Sequence, residues 1–310
     1  MTALYAAPLQ GFTEAVWRNA HAEVFGGIDA YYSPFIRIDK GTFRNKDCKD
    51  VSPENNRGVH LVPQLIAGET EELRRIADFL IGLGYRKIDL NMGCPFPLIA
   101  NRGKGSGILP YPEKIASLLK VMEEYPEVSF SVKMRLGWQC ADEWKEVLPL
   151  LNESCVKCIT LHPRIGKQQY RGSVDGKAFT AFYKECRLPL VYNGDLCTVS
   201  DMYRIVDEAP ELYGLMLGRG LLANPALADE FRTGHVAGKE ELYLKVWRMH
   251  GLMVEAYRHQ IEGGEAQLLG KLKTVWEYWL PEMDRKTRKA ILKSNRIEGY
   301  LQAVEVALKG

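Results

Sequence analysis

The sequence has no apolar run approaching the roughly 18 residues that a membrane-spanning helix needs, and no long repeat or low-complexity tract. Spanning, fibrous and disordered classes are set aside accordingly, and 46% hydrophobic with 26% charged residues is the ordinary soluble globular balance. An excess of one charge is also missing. Forty-one basic residues face 39 acidic ones, for a net charge of +2, so a nucleic-acid surface would have to be a local patch and not a global field. The opening Met1-Thr2-Ala3-Leu4-Tyr5 lacks the basic stretch followed by an apolar one that marks a secretory leader. With seven cysteines, an odd number, this points to a reduced, cytoplasmic protein and not to a disulfide framework. Cys155 and Cys158 make one Cys-x-x-Cys pair, but no second pair follows at zinc spacing, so no metal is expected.

What the sequence does contain is alternation. Short apolar or β-branched runs at 4–7, 30–33, 60–66, 87–91, 130–135, 158–162, 188–193 and 213–217 are each followed by a stretch with helical spacing. In the stretch 69–83, Leu73, Ile76, Ala77 and Leu80 recur on one face, and the stretch 112–124 opens with Pro112 in its first turn. Eight strands alternating with helices predict a TIM (β/α)8 barrel over residues 1–235. After that the strand pattern stops. The stretches 240–260, 265–280, 284–293 and 297–308 read as helices, giving a small all-α helical domain over 236–310. Its basic cluster, Arg285, Lys286, Arg288, Lys289, Lys293 and Arg296, is either a solvated helix face or a nucleic-acid contact.

A barrel carries its chemistry at the carboxyl ends of its strands, and polar groups gather there. In order they are Pro8-Leu9-Gln10, Ser33-Pro34, Gln64, Asn91 to Cys94, Lys133 with Arg135, His162 with Arg164, Asn193-Gly194-Asp195 and Gly218-Arg219-Gly220. The last two clusters suit a phosphate held by loops seven and eight, or else are ordinary turn chemistry. Alternation puts Lys133 and Arg135 on the same inward side, where a cation needs an anionic partner such as a reduced flavin or a phosphate. Taken locally, Cys94 is as compatible with an inert core thiol as with a reactive one, and His162 with a satisfied barrel histidine. The glycine-rich run 101–107 reads as a mobile loop over the mouth, with Cys94 near its root.

Taken together, these motifs resemble the bacterial tRNA-dihydrouridine synthases, in style nearest to the C type, over essentially the whole chain. The likeness is carried by Ala7-Pro8-Leu9-Gln10-Gly11, Pro63-Gln64-Leu65, Asp89-Leu90-Asn91-Met92-Gly93-Cys94-Pro95, Val132-Lys133-Met134-Arg135, His162-Pro163-Arg164, Gln168 with Tyr170 and Gly172, Asn193-Gly194-Asp195 and Leu217-Gly218-Arg219-Gly220. The resemblance implies FMN on the barrel mouth, NADPH as reductant and tRNA as substrate. It implies that Pro8, Leu9, Gln10, Gln64, Lys133, His162, Asn193, Gly194, Asp195, Gly218 and Arg219 hold the flavin. Asn91, Arg135 and Arg164 would then bind the substrate, the first two at the uracil carbonyls, and Cys94 would give the proton to C5 as hydride reaches C6. Two departures stand out. Phe96-Pro97-Leu98-Ile99 is apolar where relatives often carry lysine, and Ile165 replaces a common threonine. Two rivals remain: a flavin barrel that reduces a free pyrimidine or an enone, and a noncatalytic RNA-binding barrel.

Overall fold

A computed structural model describes residues 2–310. The barrel strands are β1 (Ala3–Ala6), β2 (Ala30–Tyr32), β3 (Leu61–Val62 and Gln64–Leu65), β4 (Lys87–Met92), β5 (Ser129–Gly137), β6 (Cys158–Ile165), β7 (Leu190–Tyr192) and β8 (Gly214–Leu217). All of them pair in parallel, in an order whose two ends are the two halves of β3, so the sheet closes on itself. The break in β3 is at Pro63, which has no N–H to give to a ladder. Below the proline Leu61 and Val62 pair with β2; above it Gln64 and Leu65 pair with β4. Each of the eight expected strands is present, β5 and β6 running two or three residues further than their apolar runs suggested. A short antiparallel hairpin, Ile38–Asp39 with Thr42–Phe43, was not expected. It turns through Lys40 and Gly41, both at positive φ.

Period-two alternation separates two apolar layers. Outward residues such as Leu90, Val132, Met134, Leu161 and Leu215 join the large core beneath the helices, whereas Ala30, Tyr32, Val62, Val191 and Met216 form a separate cluster with Tyr5 and Cys158 inside the barrel. The helix Thr70–Gly82 buries Leu73, Ile76, Ala77 and Leu80, the face its spacing indicated. Strands end at Leu217, and the chain from Lys239 onward is helical: Lys239–Gln260, Gly264–Thr274, Arg285–Lys293 and Ile297–Lys309. The expected boundary at 235 falls between Leu227–Thr233 and Lys239–Gln260, beside Gly234 at φ 72°. These helices share one hydrophobic core with the barrel's outer layer. Lys271 pairs with Glu14, and Tyr278 meets Phe12 edge-on at 5.0 Å, on the loop that leaves β1.

Arg288 belongs to the expected basic cluster but turns inward, donating to the carbonyls of Trp279 (2.8 Å) and Leu280 (2.6 Å) and to that of Trp276. It thereby ties down a turn in which Leu280 takes φ 50°. Arg285, Lys286, Lys289, Lys293 and Arg296 are exposed.

The helical segment has a polar knot at its centre. Tyr300 Oη accepts from Trp276 Nε1 (2.9 Å), donates to the Leu272 carbonyl (3.1 Å) and meets His250 Nε2 (2.8 Å). Burial pulls His250 down to about 4, so the ring is neutral and its Nε2–H donates to the hydroxyl. Tyr300→Phe leaves these buried partners without a hydroxyl and is expected to cost about 1–3 kcal/mol, read as a lower urea midpoint at unchanged slope; an unchanged midpoint would show the knot to be energetically idle.

Candidate functional site

The strand ends open onto one cavity of about 900 Å³, continuous with solvent. Pro8, Leu9 and Gln10 line it from the β1 loop, Asn91 and Cys94 from β4, Lys133 and Arg135 from β5, and His162 from β6. Asn193, Gly194 and Asp195 follow β7, and Gly218 with Arg219 follows β8. Two residues expected at the site are not in its wall. Gln64 is wholly buried beneath the floor with both amide ends occupied, by Asp89 Oδ2 (2.7 Å) and Asn91 Nδ2 (2.7 Å). Arg164 is likewise buried, its guanidinium committed to Asp195 (2.5 and 3.0 Å), His162 Nε2 (3.0 Å) and the Gly172 carbonyl (2.6 Å).

Asp195 is the hinge of the β7 and β8 loops. Gly194 and Asp195 both take positive φ, 154° and 47°, and the resulting turn aims the carboxylate at Arg164 from β6 and at Arg219 just after β8 (3.0 Å). Aspartate tolerates that conformation better than most residues. Gly220 permits the close contact between the two loops: a Cβ there would lie 2.0 Å from the Leu196 carbonyl.

The electrostatics are one-sided. Lys133, Arg135, Arg164 and Arg219 face Asp195 and, below, Asp89. Among the described residues Lys133 makes no hydrogen bond or ion pair, and its pKa falls to about 8, mainly through burial and then through repulsion by Arg135. Burial pulls Arg135 down to about 10. Arg135 is structural as well as cationic: Nε donates to the Gly93 carbonyl (3.0 Å), and Nη1 donates to those of Ile165 (3.0 Å) and Gln169 (2.6 Å). Since a guanidinium only donates, its bond from Arg164 makes His162 Nε2 an acceptor and leaves the proton on Nδ1. Burial, reinforced by the neighbouring cations, holds that imidazole well below its ordinary range, in agreement with a neutral ring. A buried, net-positive wall with an unpartnered ammonium calls for an anionic ligand.

Cys94 packs against Phe35, Ile66 and Ile99 at the cavity edge. Burial raises its pKa, so the thiol keeps its proton near neutrality. The glycine-rich run that followed it in the sequence is not a free lid. Gly105–Ile108 forms a buried single turn, in which Ser106 N and Oγ donate to the Cys94 carbonyl (3.0 and 2.9 Å). Lys104 pairs with Glu72, and a Cβ on Gly107 would lie 1.9 Å from the Ala100 carbonyl. Gly105 and Gly107 serve close packing beneath Cys94, not mobility above it.

Sequence reasoning gave no role to Tyr170 or Asp89. Tyr170 is half exposed, with the guanidiniums of Arg219 and Arg135 over its ring at 4.9 and 5.5 Å. It sits in a loop just after Gln169 at φ 52°, where no periodicity applies. Asp89, by contrast, shares the inward parity of Asn91 on β4 and could have been found from it. It is fully buried and accepts from Gln64 Nε2 and Ser131 Oγ (2.6 Å).

A closed parallel barrel with a thiol, a neutral imidazole and excess positive charge at one mouth defines a (β/α)8-barrel enzyme built for an anionic ligand. The chain belongs to the dihydrouridine synthase (Dus) family, whose sequence model matches residues 5–278. It is similar to the tRNA-dihydrouridine(16) synthases of Haemophilus ducreyi, 28% identical over 77% of this chain and 76% of that protein, and of Cupriavidus necator, 27% identical over 89% of each. Its fold is similar to that of morphinone reductase in complex with tetrahydroNAD, with a TM-score of 0.55 at 10% identity over 76% of this chain and 87% of that one. A variant of NCR from Zymomonas mobilis gives 0.52 at 13% over the same shares. The protein is an oxidoreductase of this family.

Burial pushes Asp89 up to about 6, against the opposing pull of Ser131, Gln64 and Lys133. An unfolded aspartate ionises near ~3.9, so between about pH 4 and about pH 6 the folded chain holds this proton more tightly and loses stability as pH rises. The shift corresponds to roughly 3 kcal/mol. Asp89→Asn is expected to remove that contribution. The difference in urea unfolding free energy between the two proteins should therefore change with pH across this window, and a constant difference would contradict the raised value.

Proposed function

We propose that this protein reduces the C5–C6 double bond of a uridine in tRNA, with FMN on the barrel mouth, NADPH as reductant and Cys94 as proton donor. The observation that carries the reading is the placement, in a chain of this family, of a protonated thiol and an unpartnered lysine on one cationic cavity. The relatives' names extend the reading to tRNA.

The cavity chemistry fits the cofactor. Arg219 and the loop of Asn193, Gly194 and Asp195 would hold its phosphate. Lys133 and the Nδ1–H of His162 would meet the ring, and Pro8, Leu9, Gln10 and Gly218 would shape its bed. When bound, the flavin supplies hydride to C6 of the uracil. Cys94 then donates its proton to C5, a role suited to a thiol that burial keeps protonated. Asn91 and Arg135 border the space for the uracil, while Gln64 and Arg164 act from behind, through Asn91 and Asp195. A uridine must leave its stack to reach this depth, so recognition combines a shaped pocket with phosphate contacts outside it. We assign catalysis to residues 1–235, and phosphate contacts to residues 236–310 through Arg285, Lys286, Lys289, Lys293 and Arg296.

Purified protein should be yellow, or become so with FMN, and should reduce tRNA with NADPH far faster than free uridine. Colourless protein that FMN cannot reconstitute would sink the proposal, and equal rates on free uridine would favour a pyrimidine reductase. Cys94→Ala should retain flavin but slow uridine reduction about 10²–10⁴-fold; normal turnover would remove Cys94 from the chemistry. Arg219→Ala deletes a charge-assisted bond and should weaken FMN retention roughly ten- to hundredfold, measured by flavin fluorescence on dilution, with unchanged affinity contradicting the phosphate assignment.

A further inference from the structure

Cys94 is held in place by a relay that runs beneath the cavity floor. Its amide and that of Gly93 donate to Asn91 Oδ1 (2.8 and 3.0 Å), Asn91 Nδ2 donates to Gln64 Oε1 (2.7 Å), and Gln64 Nε2 donates to Asp89 Oδ2 (2.7 Å). Ser131 Oγ donates to the other Asp89 oxygen (2.6 Å). Every donor points toward Asp89. The direction matters because a carboxamide has two ends of similar shape and opposite polarity, so its neighbours decide which way it turns. An ionised carboxylate only accepts. Facing it, Gln64 must turn its NH₂ down and its oxygen up. Asn91 then turns its NH₂ to Gln64 and presents its oxygen to the Cys94 turn.

We infer that Asp89 is a positioning residue, which closes the Gln64–Asn91 relay as its terminal acceptor and so holds the Cys94 turn against the mouth. Asp89 itself does not line the cavity. Its effect on chemistry rests on the reading of Cys94 as proton donor; its effect on the position of Cys94 does not. Lys133 is a second neighbour that senses the Asp89 charge, so the test must separate loss of the acceptor from loss of the charge. Asp89→Leu removes both. Asp89→Asn removes only the charge, because its oxygen still accepts from Gln64 while the Ser131 hydroxyl turns to accept from its NH₂. Gln64→Met cuts the relay in the middle and leaves Asp89 in place, which keeps the test decisive if Asp89→Leu does not fold.

The protein, as purified, is treated with iodoacetamide and alkylation of Cys94 is followed by peptide mass spectrometry, with the exposed Cys140 and Cys197 as internal references. Asp89→Leu and Gln64→Met are expected to speed Cys94 alkylation about tenfold relative to those references, whereas Asp89→Asn stays near the wild-type rate. Gln64→Met should also slow uridine reduction in tRNA by about a hundredfold, the scale of an ångström-sized misplacement, and add nothing further in a Cys94→Ala background. Unchanged alkylation in Gln64→Met, an Asp89→Asn variant as reactive as Asp89→Leu, or full additivity with Cys94→Ala would each overturn the inference. If wild-type protein reduces no tRNA uridine, the proposed function falls, and the alkylation comparison alone still decides whether Asp89 positions Cys94.

Discussion

The polar side chains that β4, β5 and β6 give to the site arrive by one route: they occupy inward positions of strands whose outward positions are apolar. Along β5, Val132 and Met134 anchor the strand beneath the helices, and the same alternation drives Lys133 and Arg135 inside. Neither cation would remain there unaided, since burying charge is costly. The outer core holds the strand in register, and the site inherits side chains that could not have gathered there by themselves. The lowered pKa values of Lys133 and Arg135 and the neutral ring of His162 follow from that confinement.

The site answers this accumulation of charge in two ways. Upper-level cations are partly offset by Asp195, which Arg164 and Arg219 share and which ties the ends of β6, β7 and β8 together. On the lower level Asp89 collects hydrogen bonds from β3 and β5 and, through Asn91, orients the exit of β4. Lys133, in the cavity wall, makes no hydrogen bond or ion pair among the described residues and has only the longer-range pull of Asp89 and Cys94. An anion bound there, such as the proposed cofactor, would relieve the wall that confines it.

Several residues therefore serve the site without touching its contents. Gln64 and Arg164 carry the family's pattern as fully as Cys94 does, yet one lies beneath the floor and the other behind the wall. The run of glycines after Cys94 shows the same economy, since Gly105 and Gly107 allow backbone to pass where a methyl group would collide with Cys94 or Ala100. In the helical segment, Arg288 is spent on three carbonyls, so only part of the basic cluster is left on the surface.

The sequence by itself determined the barrel, the inward parity of Lys133 and Arg135, and the gathering of polar residues at one end. Each of these depends on local periodicity, the two-residue repeat of a strand or the 3.6-residue repeat of a helix, and periodicity is written in residue order. Tertiary structure alone decided which polar residues have a free face. Whether Gln64 meets a ligand or Asp89, whether Arg288 meets solvent or Trp279, and whether glycines loosen a loop or let it pack all depend on contacts between segments remote in sequence. Tyr170, named in the sequence only as part of the family pattern, gained a role when folding laid Arg135 and Arg219 over its ring, because no repeat relates a loop residue to one cation on β5 and another just after β8.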